Sequence, residues 1–234
     1  GNEKNGIKKY SPKTIKEIKS ILNMAFTDAE IDKIIKFNPI PTIRTPKVQR
    51  QKKKPIISPA EQQQLIEILL SETNGLCYIF IMNTGVRPGE NGGMKWKHYS
   101  YENANVKVRD NYGKVTYYDD NFEKIESTYE EKDLKTPSSY RNIPLQNWLN
   151  NLMHTYMLYV MKQKGYTNKK QLDDEYIFMN SLGHALSSDY LWDTLDKILK
   201  RHNFKHLSVY QLRHLFATRC IDVNIPVNQI KQYS

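Results

Sequence analysis

The sequence has few cysteines and no long apolar run. Its two cysteines, Cys77 and Cys220, are far apart and lie among apolar residues, so we expect buried free thiols rather than a disulfide or a metal site. The longest apolar run, Leu76 to Met82, is much shorter than the roughly 20 residues of a membrane-spanning helix. The N-terminus shows no signal peptide. A cytoplasmic protein is therefore predicted.

Signatures of metal and nucleotide sites are also missing from the sequence. It has no zinc-ligand spacing, no phosphate-binding glycine loop and no HExxH or GxSxG motif. His202 and His206 are four residues apart, but no carboxylate lies between them, and we expect a solvated pair at a helix end. Neither a metal nor a cofactor is predicted.

Acidic residues are scarce in the first quarter of the chain. Residues 1–57 hold 14 Lys and Arg against 5 Asp and Glu, whereas residues 58–234 hold 21 against 20, in a chain of net charge +10. A basic arm on a balanced domain favours a polyanionic partner, with nucleic acid the first candidate. A solubilising tail has a similar composition and stays an alternative.

The basic arm contains helical patterns followed by a linker. Ser11 and Pro12 predict the start of a helix, and a second short helix is predicted from about Asp28 to Phe37. Residues 1–40 thus form a helical unit, and residues 41–56 a proline-containing linker without acidic residues. The linker is either solvated or follows a phosphate backbone through its basic side chains, Arg44, Lys47, Arg50, Lys52, Lys53 and Lys54.

Residues 57–234 form the second predicted domain, which opens with a capping box at Ser58–Glu61. A buried helix from Gly75 to Met82 is predicted to stop near Gly85, and amphipathic helices are predicted at about 145–164 and 188–202. Three alternating stretches predict a small antiparallel sheet of about three strands, with apolar pairs Val106 and Val108, Val115 and Tyr117, Ile143 and Leu145. The fold class is α+β and mainly α-helical. The acidic stretch 119–133 is expected to face away from any phosphate.

Three positions in this domain combine a cation with a local constraint. Arg87 follows a buried helix and precedes Pro88 and Gly89, and Glu90 is placed to orient its guanidinium. Lys135 lies near a predicted hairpin tip. Tyr210 and Arg213 are neighbours on a helix capped by Ser208. Taken singly, these positions fit a connecting turn, an exposed lysine and a snorkelling arginine equally well.

Taken together, the three motifs resemble the tyrosine recombinase, or phage integrase, family. The stretches are TGVRPGE at 84–90, KTPSSYRNIPL at 135–145 and YQLRH at 210–214, against TGxRxGE, KTxxSxRxIPL and HxLRH in the family. The resemblance runs from about Ser58 to the end. More loosely, residues 1–40 are similar to the C-terminal part of the family's core-binding domain, and mobile-element integrases are the more similar members.

The resemblance implies site-specific recombination through a 3′-phosphotyrosyl DNA intermediate, with no cofactor. Arg87 and Arg213 match the arginines that stabilise the transition-state phosphorane, and Lys135 matches the general acid. Glu90 matches the residue that supports the first arginine. Arg141 and the linker are assigned to DNA contact. The implied partners are double-stranded attachment sites and further copies of the chain, in a tetramer on DNA.

Two departures from the family pattern change these expectations. Tyr210 stands where the family has histidine, and since a phenol is a poor base at neutral pH, a hydrogen-bonding role is expected. The family's nucleophilic tyrosine lies beyond the distance that this sequence covers, and Tyr233 comes too early. We therefore expect a catalytic domain truncated before the nucleophile. The alternatives are a non-catalytic DNA-binding protein of recombinase fold and a topoisomerase with the same chemistry.

Overall fold

The computed structural model describes residues 2–4, 7–46, 57–134 and 139–233. The chain divides into two compact units, residues 1–54 and residues 55–234. In the described ranges no helix is long and apolar enough to cross a membrane. The helices and strands are β1 (Asn2–Lys4), β2 (Ile7–Lys9), α1 (Pro12–Ile31), α2 (Pro59–Leu70), α3 (Gly75–Thr84), α4 (Pro88–Gly93), β3 (Tyr99–Ser100), β4 (Asn105–Val108), β5 (Asp110–Tyr118), β6 (Lys124–Asp133), β7 (Arg141–Pro144), α5 (Asn147–Lys164), α6 (Ser188–Arg201), α7 (Val209–Asp222) and α8 (Val227–Tyr233).

The smaller unit is organised on the long helix α1. Ser11 caps it as predicted, since its hydroxyl oxygen accepts a hydrogen bond from the Thr14 amide at 3.1 Å. The second short helix predicted from Asp28 to Phe37 is wrong. Residues 28–31 form the last turn of α1, and Lys33 then adopts a left-handed conformation with φ of 59°. That conformation ends a helix, so the apolar residues that follow lie in turns.

The chain after α1 turns back along the helix. Ile40–Thr42 forms a 3₁₀ turn, and Lys19 Nζ donates hydrogen bonds to the carbonyl oxygens of Pro41 at 3.1 Å and Ile43 at 2.6 Å. The first residues of the predicted linker therefore pack on α1. The rest of the linker, including Lys47, Arg50, Lys52, Lys53 and Lys54, lies outside the described residues. The short antiparallel pair β1 and β2 was not predicted.

Helix α3 forms the centre of the larger unit. Every residue from Cys77 to Met82 is buried, and α3 packs against α2 and α7. Gly85 ends α3 as predicted, in a left-handed conformation with φ of 68°. A Cβ atom at Gly85 would lie 2.5 Å from Cδ1 of Phe216 on α7. The glycine thus permits both the turn and the close approach of α7 to the loop that carries Arg87.

The predicted three-stranded antiparallel sheet is present, with strand order β3-β4-β7 and Val106 opposite Ile143. The sequence had placed Val115 and Tyr117 in this sheet, and that prediction is wrong. They lie on β5, which pairs with the acidic strand β6 in a separate two-stranded hairpin. Many side chains of β6 are exposed. Its sequence therefore carries little of the apolar alternation that identifies a strand.

The helices predicted near 145–164, 188–202 and after Ser208 correspond to α5, α6 and α7. Ser208 forms a capping box with Gln211, in which each side chain bonds the backbone amide of the other residue. Cys77 is buried and Cys220 half-buried, and both are free thiols. Both cysteines therefore lack a disulfide bond, as expected, although Cys220 is less enclosed.

Candidate active site

A buried carboxylate, Glu90, connects two arginines from distant parts of the chain. Glu90 is 2% exposed. Its Oε1 accepts a hydrogen bond from Arg87 Nη1 at 2.7 Å, and its Oε2 accepts one from the Arg87 backbone amide at 2.8 Å. Arg141 binds the same carboxylate with both ends of its fork, Nη2 to Oε2 at 2.7 Å and Nη1 to Oε1 at 3.1 Å. Glu90 therefore orients Arg87, as the sequence suggested, but it does so together with Arg141.

The cluster keeps Glu90 ionised despite its burial. Burial raises the pKa of a carboxyl group because it disfavours the charged form. Here the hydrogen bonds and positive charge of Arg141, followed by the bonds from Arg87, outweigh burial and lower the pKa of Glu90 below its ordinary value. A permanent negative charge thus lies between the two guanidinium groups.

Local sequence explains how Arg87 reaches this position. Arg87 is the last extended residue before α4, and Pro88 begins that helix with a preset φ. Gly89 then lies against strand β5, where a Cβ atom would be 2.3 Å from Asn111 Oδ1. A larger residue at this position would require the Asn111 side chain to move and would crowd the Tyr112 carbonyl oxygen, which would lie 3.1 Å from the Cβ atom. The first turn of α4 is therefore fixed by the hydrogen bonds between Glu90 and the two arginines and by its contact with β5.

Arg213 reaches the same cluster from helix α7. Its side chain is half-buried, and within the described residues Nη1 is shielded from solvent and has no hydrogen-bond partner. Burial is the first cause that lowers the pKa of Arg213, and the positive charges of Arg87 and Arg141 lower it further, against the opposing effect of Glu90. A buried cationic donor without a partner is unfavourable, and an anion supplied from outside would relieve it.

Two guanidinium groups, those of Arg87 and Arg141, therefore share one carboxylate, and Arg213 adds a third positive charge nearby. With Arg87, Arg141 and Arg213 against Glu90, the cluster has a formal excess of two positive charges (three minus one). Guanidinium forks bind phosphate oxygens through paired hydrogen bonds. The charge and the free donor together are suited to a phosphate dianion or a phosphodiester.

A cavity of about 470 Å³ opens beside this cluster. Its wall includes Arg87, Glu90 and Tyr210. Tyr210 is 49% exposed, and its ring centroid lies 6.0 Å from that of Trp192. Asp133 also lines the cavity, so the expectation that the whole acidic stretch 119–133 faces away is wrong at its last residue. The neighbouring Lys132, also in the wall, offsets that charge.

Lys135, the predicted general acid, lies outside the described residues, as does the side chain of Tyr233. The residues that flank the gap, Leu134 and Ser139, both line the cavity. Arg44 is exposed and belongs to the smaller unit. Of the predicted site residues that the structure describes, the ones that converge here are Arg87, Glu90, Tyr210 and Arg213.

Arg141 does not fit its predicted role as a DNA contact. Its side chain is only 8% exposed, and its guanidinium is bound to Glu90 and to the Ser139 carbonyl oxygen. The sequence contained a signal for this outcome. Arg141 alternates with Ile143 and Leu145, which are buried, and residues two apart on a strand point to the same face. The parity of the strand thus indicated an inward-facing arginine.

Several residues of the cavity wall were not predicted from the sequence. They share no motif, and they come from the β5–β6 hairpin and the start of α6, namely Asn111, Tyr112, Gly113, Lys132 and Ser188. Only the packing of β5 on α4 brings them to the site, so the sequence offered no signal for them.

Comparisons with known proteins identify the family of this chain. Residues 56–234 match the model of the phage integrase family, and the chain therefore belongs to that family. It is 24% identical over 230 residues to a XerC-like tyrosine recombinase of Caldanaerobacter subterraneus subsp. tengcongensis. That alignment covers 95% of this chain and 59% of the relative, so the chain spans about three fifths of the relative's length.

Solved structures of recombinases share the fold. The integrase of transposon Tn1549, solved in complex with transposon right end DNA, is 20% identical with a TM-score of 0.72, over 96% of this chain and 71% of that chain. The XerA recombinase is 16% identical with a TM-score of 0.57, over 96% of this chain and 74% of that chain. The α+β, mainly helical fold predicted from the sequence is confirmed.

Proposed function

We propose that this chain is part of a mobile-element integrase that performs site-specific recombination on double-stranded DNA. One observation carries the proposal. Within the described residues Arg213 Nη1 is buried without a partner, in an arginine cluster with surplus positive charge beside a cavity that Arg87 lines. Such a donor is suited to a non-bridging oxygen of a DNA phosphodiester.

The two arginines stabilise the charge that develops during phosphoryl transfer. As a nucleophile adds to phosphorus, negative charge grows on the non-bridging oxygens of the pentacoordinate phosphorane. Arg87, held in place by Glu90, and Arg213 are aimed at those oxygens before the reaction begins, so little reorganisation is required. Their guanidinium groups act in a partly water-excluded site, where charge stabilisation is stronger than in bulk water.

The covalent chemistry conserves the energy of the phosphodiester. A tyrosine hydroxyl attacks phosphorus, a 3′-phosphotyrosyl bond forms, and the bond to the 5′-oxygen breaks. Lys135 donates the proton that the departing 5′-oxygen requires, as the family resemblance implies. The reverse attack by a 5′-hydroxyl of the partner strand completes strand exchange. Neither ATP nor a metal ion is needed to balance these steps.

Tyr210 takes the place of the family's histidine as a hydrogen-bond donor. Its position in the cavity wall favours contact with a phosphate oxygen. A neutral phenol donates readily at pH 7 but accepts a proton poorly. Proton removal from the nucleophile therefore depends on another group or on water.

The basic arm supplies affinity that does not depend on sequence. Arg44 and the basic residues of 47–54 neutralise backbone phosphates, and each contact releases counterions. The cluster residues, by contrast, contact one phosphate at the cleavage position. Several copies assemble on the attachment sites, with a tetramer as the complete assembly.

The test offers a nicked suicide DNA substrate to the natural full-length protein. Wild-type protein is expected to form a covalent protein–DNA adduct that survives denaturation, and Arg213→Lys is expected to form it much more slowly. Binding of the same DNA is measured over a range of salt concentrations. DNA binding without any adduct would instead identify a non-catalytic DNA-binding protein of this fold. Adduct formation with DNA relaxation, but without strand exchange between two sites, would identify a topoisomerase.

A further inference from the structure

Arg141 is a buried arginine whose bonds reach two separate segments of the site. Its side chain is 8% exposed, which excludes it from a DNA surface. One end of the guanidinium is shared between Glu90 Oε1 and the carbonyl oxygen of Ser139, both at 3.1 Å, and the other end binds Glu90 Oε2 at 2.7 Å. The same group therefore holds α4 and the start of β7 together.

Arg87 depends on Glu90 for its orientation, and Glu90 depends in turn on Arg141. The Arg87 side chain is 47% exposed, and its guanidinium is held to the carboxylate through Nη1. Glu90 accepts two hydrogen bonds from Arg87 and two from Arg141, and only the Arg141 pair is a two-pronged fork that fixes the plane of the carboxylate. Loss of that fork would remove half of the hydrogen bonds that hold the carboxylate, and with them part of the support for the Arg87 guanidinium.

We propose that Arg141 is a positioning residue that aligns Arg87 with the reacting phosphate through their shared carboxylate, Glu90. This inference rests on the proposed function. It assigns to Arg141 neither a DNA contact nor a share of the phosphate charge. Groups that orient a ligand-binding side chain from behind typically contribute one to two orders of magnitude to activity.

A purely electrostatic contribution predicts a different response to mutation. Arg141 adds positive charge near Arg213, and a lysine at position 141 would keep that charge. A lysine ammonium, however, cannot form the planar fork. If Arg141 acts by positioning through the fork, Arg141→Lys is expected to lose almost as much activity as Arg141→Met. If it acts through its charge, the lysine variant is expected to keep its activity.

The experiment measures cleavage of nicked DNA by the natural full-length protein and by its Arg141→Lys and Arg141→Met variants. Both variants are expected to lose roughly 10- to 100-fold in the rate of adduct formation. Their affinity for DNA is expected to stay within about 3-fold of wild type, since Arg141 does not touch the backbone. Arg201→Lys and Arg201→Met are matched controls, because Arg201 also pairs with a glutamate but on the surface.

A second substrate separates misalignment from a general folding defect. In a methylphosphonate linkage one non-bridging oxygen is replaced by a methyl group, so the linkage is neutral and requires less arginine stabilisation. The deficit of the Arg141 variants relative to wild type is expected to shrink on this substrate. An equal deficit on both linkages, a parallel loss of DNA affinity, or wild-type rates in Arg141→Met would overturn the proposal.

A third measurement does not depend on catalysis. In wild-type protein the guanidinium NMR signals of Arg87, assigned with Arg87→Lys, are expected to show slow rotation because Glu90 holds the group. In Arg141→Met the Arg87 guanidinium is expected to rotate faster, so that its signals average. In Arg201→Met the signals are expected to stay unchanged. Unchanged Arg87 signals in Arg141→Met would refute the positioning role. Absence of adduct from wild-type protein, with the Arg87 signals responding as expected, would refute the proposed function alone.

Discussion

Two glutamates in the larger unit each bind two basic side chains, yet the two clusters differ in what they leave unsatisfied. Glu72 accepts hydrogen bonds from Arg201 Nη1 at 2.8 Å on both oxygens, and its Oε1 contacts His202 Nε2 at 2.9 Å. Arg201 is 62% exposed, whereas Arg141, its counterpart at Glu90, is 8% exposed. The Glu72 cluster fastens the α2–α3 turn to the end of α6.

The difference lies in burial and in the surplus of cations. At Glu72 the pKa of the carboxyl group is lowered, chiefly by the hydrogen bond with His202. The charges of this cluster are in contact with solvent and nearly balanced. At Glu90 a third guanidinium, that of Arg213, lies nearby, and among the described residues it pairs with no carboxylate. The same pairing of glutamate and arginine therefore links two elements at one place and, in the function we propose, contributes to an anion site at the other.

The largest expected effect on stability comes from removal of the buried charge. Glu90→Gln leaves the enclosed Arg141 without a counterion and is expected to cost about 3–5 kcal/mol of unfolding free energy. Urea denaturation followed by tryptophan fluorescence reports on the larger unit, because all three tryptophans (Trp96, Trp148 and Trp192) belong to it. A loss below about 1 kcal/mol would mean that Glu90 behaves like a surface carboxylate.

Arg213→Ala is expected to have the next largest effect, on the reaction rather than on stability. Removal of one preorganised donor for developing charge lowers the rate of DNA adduct formation by roughly 10²- to 10³-fold, or about 3–4 kcal/mol. Stability is expected to stay level or rise, since a desolvated cation has been removed. Arg201→Ala is the control, and an equal loss of rate in that variant would erase the distinction between the clusters.

Acid titration gives a smaller effect with a defined sign. The pKa of Glu90 is lowered in the folded state below its ordinary value of 4.5. The contribution of ionised Glu90 to the free energy of unfolding is therefore fully present above pH 4.5. It is lost as the pH falls through the lowered pKa of the folded state. The stability difference between wild type and Glu90→Gln is expected to be flat from pH 8 to 5 and to narrow below that range. A difference that narrows already near neutral pH would contradict this assignment.

The smallest effect is expected at Glu72. Its main partners are solvent-exposed, so Glu72→Gln is expected to cost less than about 1 kcal/mol, and added salt reduces the difference further. Urea denaturation at low and high salt measures both quantities. A loss as large as that of Glu90→Gln would show that burial does not distinguish the two clusters.

Much of the fold could be predicted because local chemistry sets it. The caps at Ser11, Ser58 and Ser208 bond backbone amides within a few residues, and the structure contains all three. The end of α3 at Gly85 and the strands around Val106 and Ile143 were predicted for similar reasons. The helix expected up to Phe37 failed because Lys33 adopts a left-handed conformation that its residue type does not signal.

The candidate site was predicted in part, and its errors have a common origin. Arg87, Glu90 and Arg213 stood in recognisable motifs, but Arg141 was interpreted from its charge rather than from its strand parity. His202 was expected to be solvated beside His206, yet it contacts Glu72, which lies 130 residues earlier in the chain. In each case the partner is remote in the chain, and single-sequence patterns contain no information on remote partners.

The sequence by itself determined where several helices begin, that α3 is apolar on all sides, and which residues can bind phosphate. These properties depend on hydrogen bonds and side-chain periodicity over a few residues. Only the tertiary structure decided that Arg87 and Arg141 share Glu90 and that, in the part of the chain that the structure describes, Arg213 Nη1 has no partner. That outcome depends on the close approach of Gly85 and Phe216 and on the exclusion of water, because burial is what makes an unpaired charge costly.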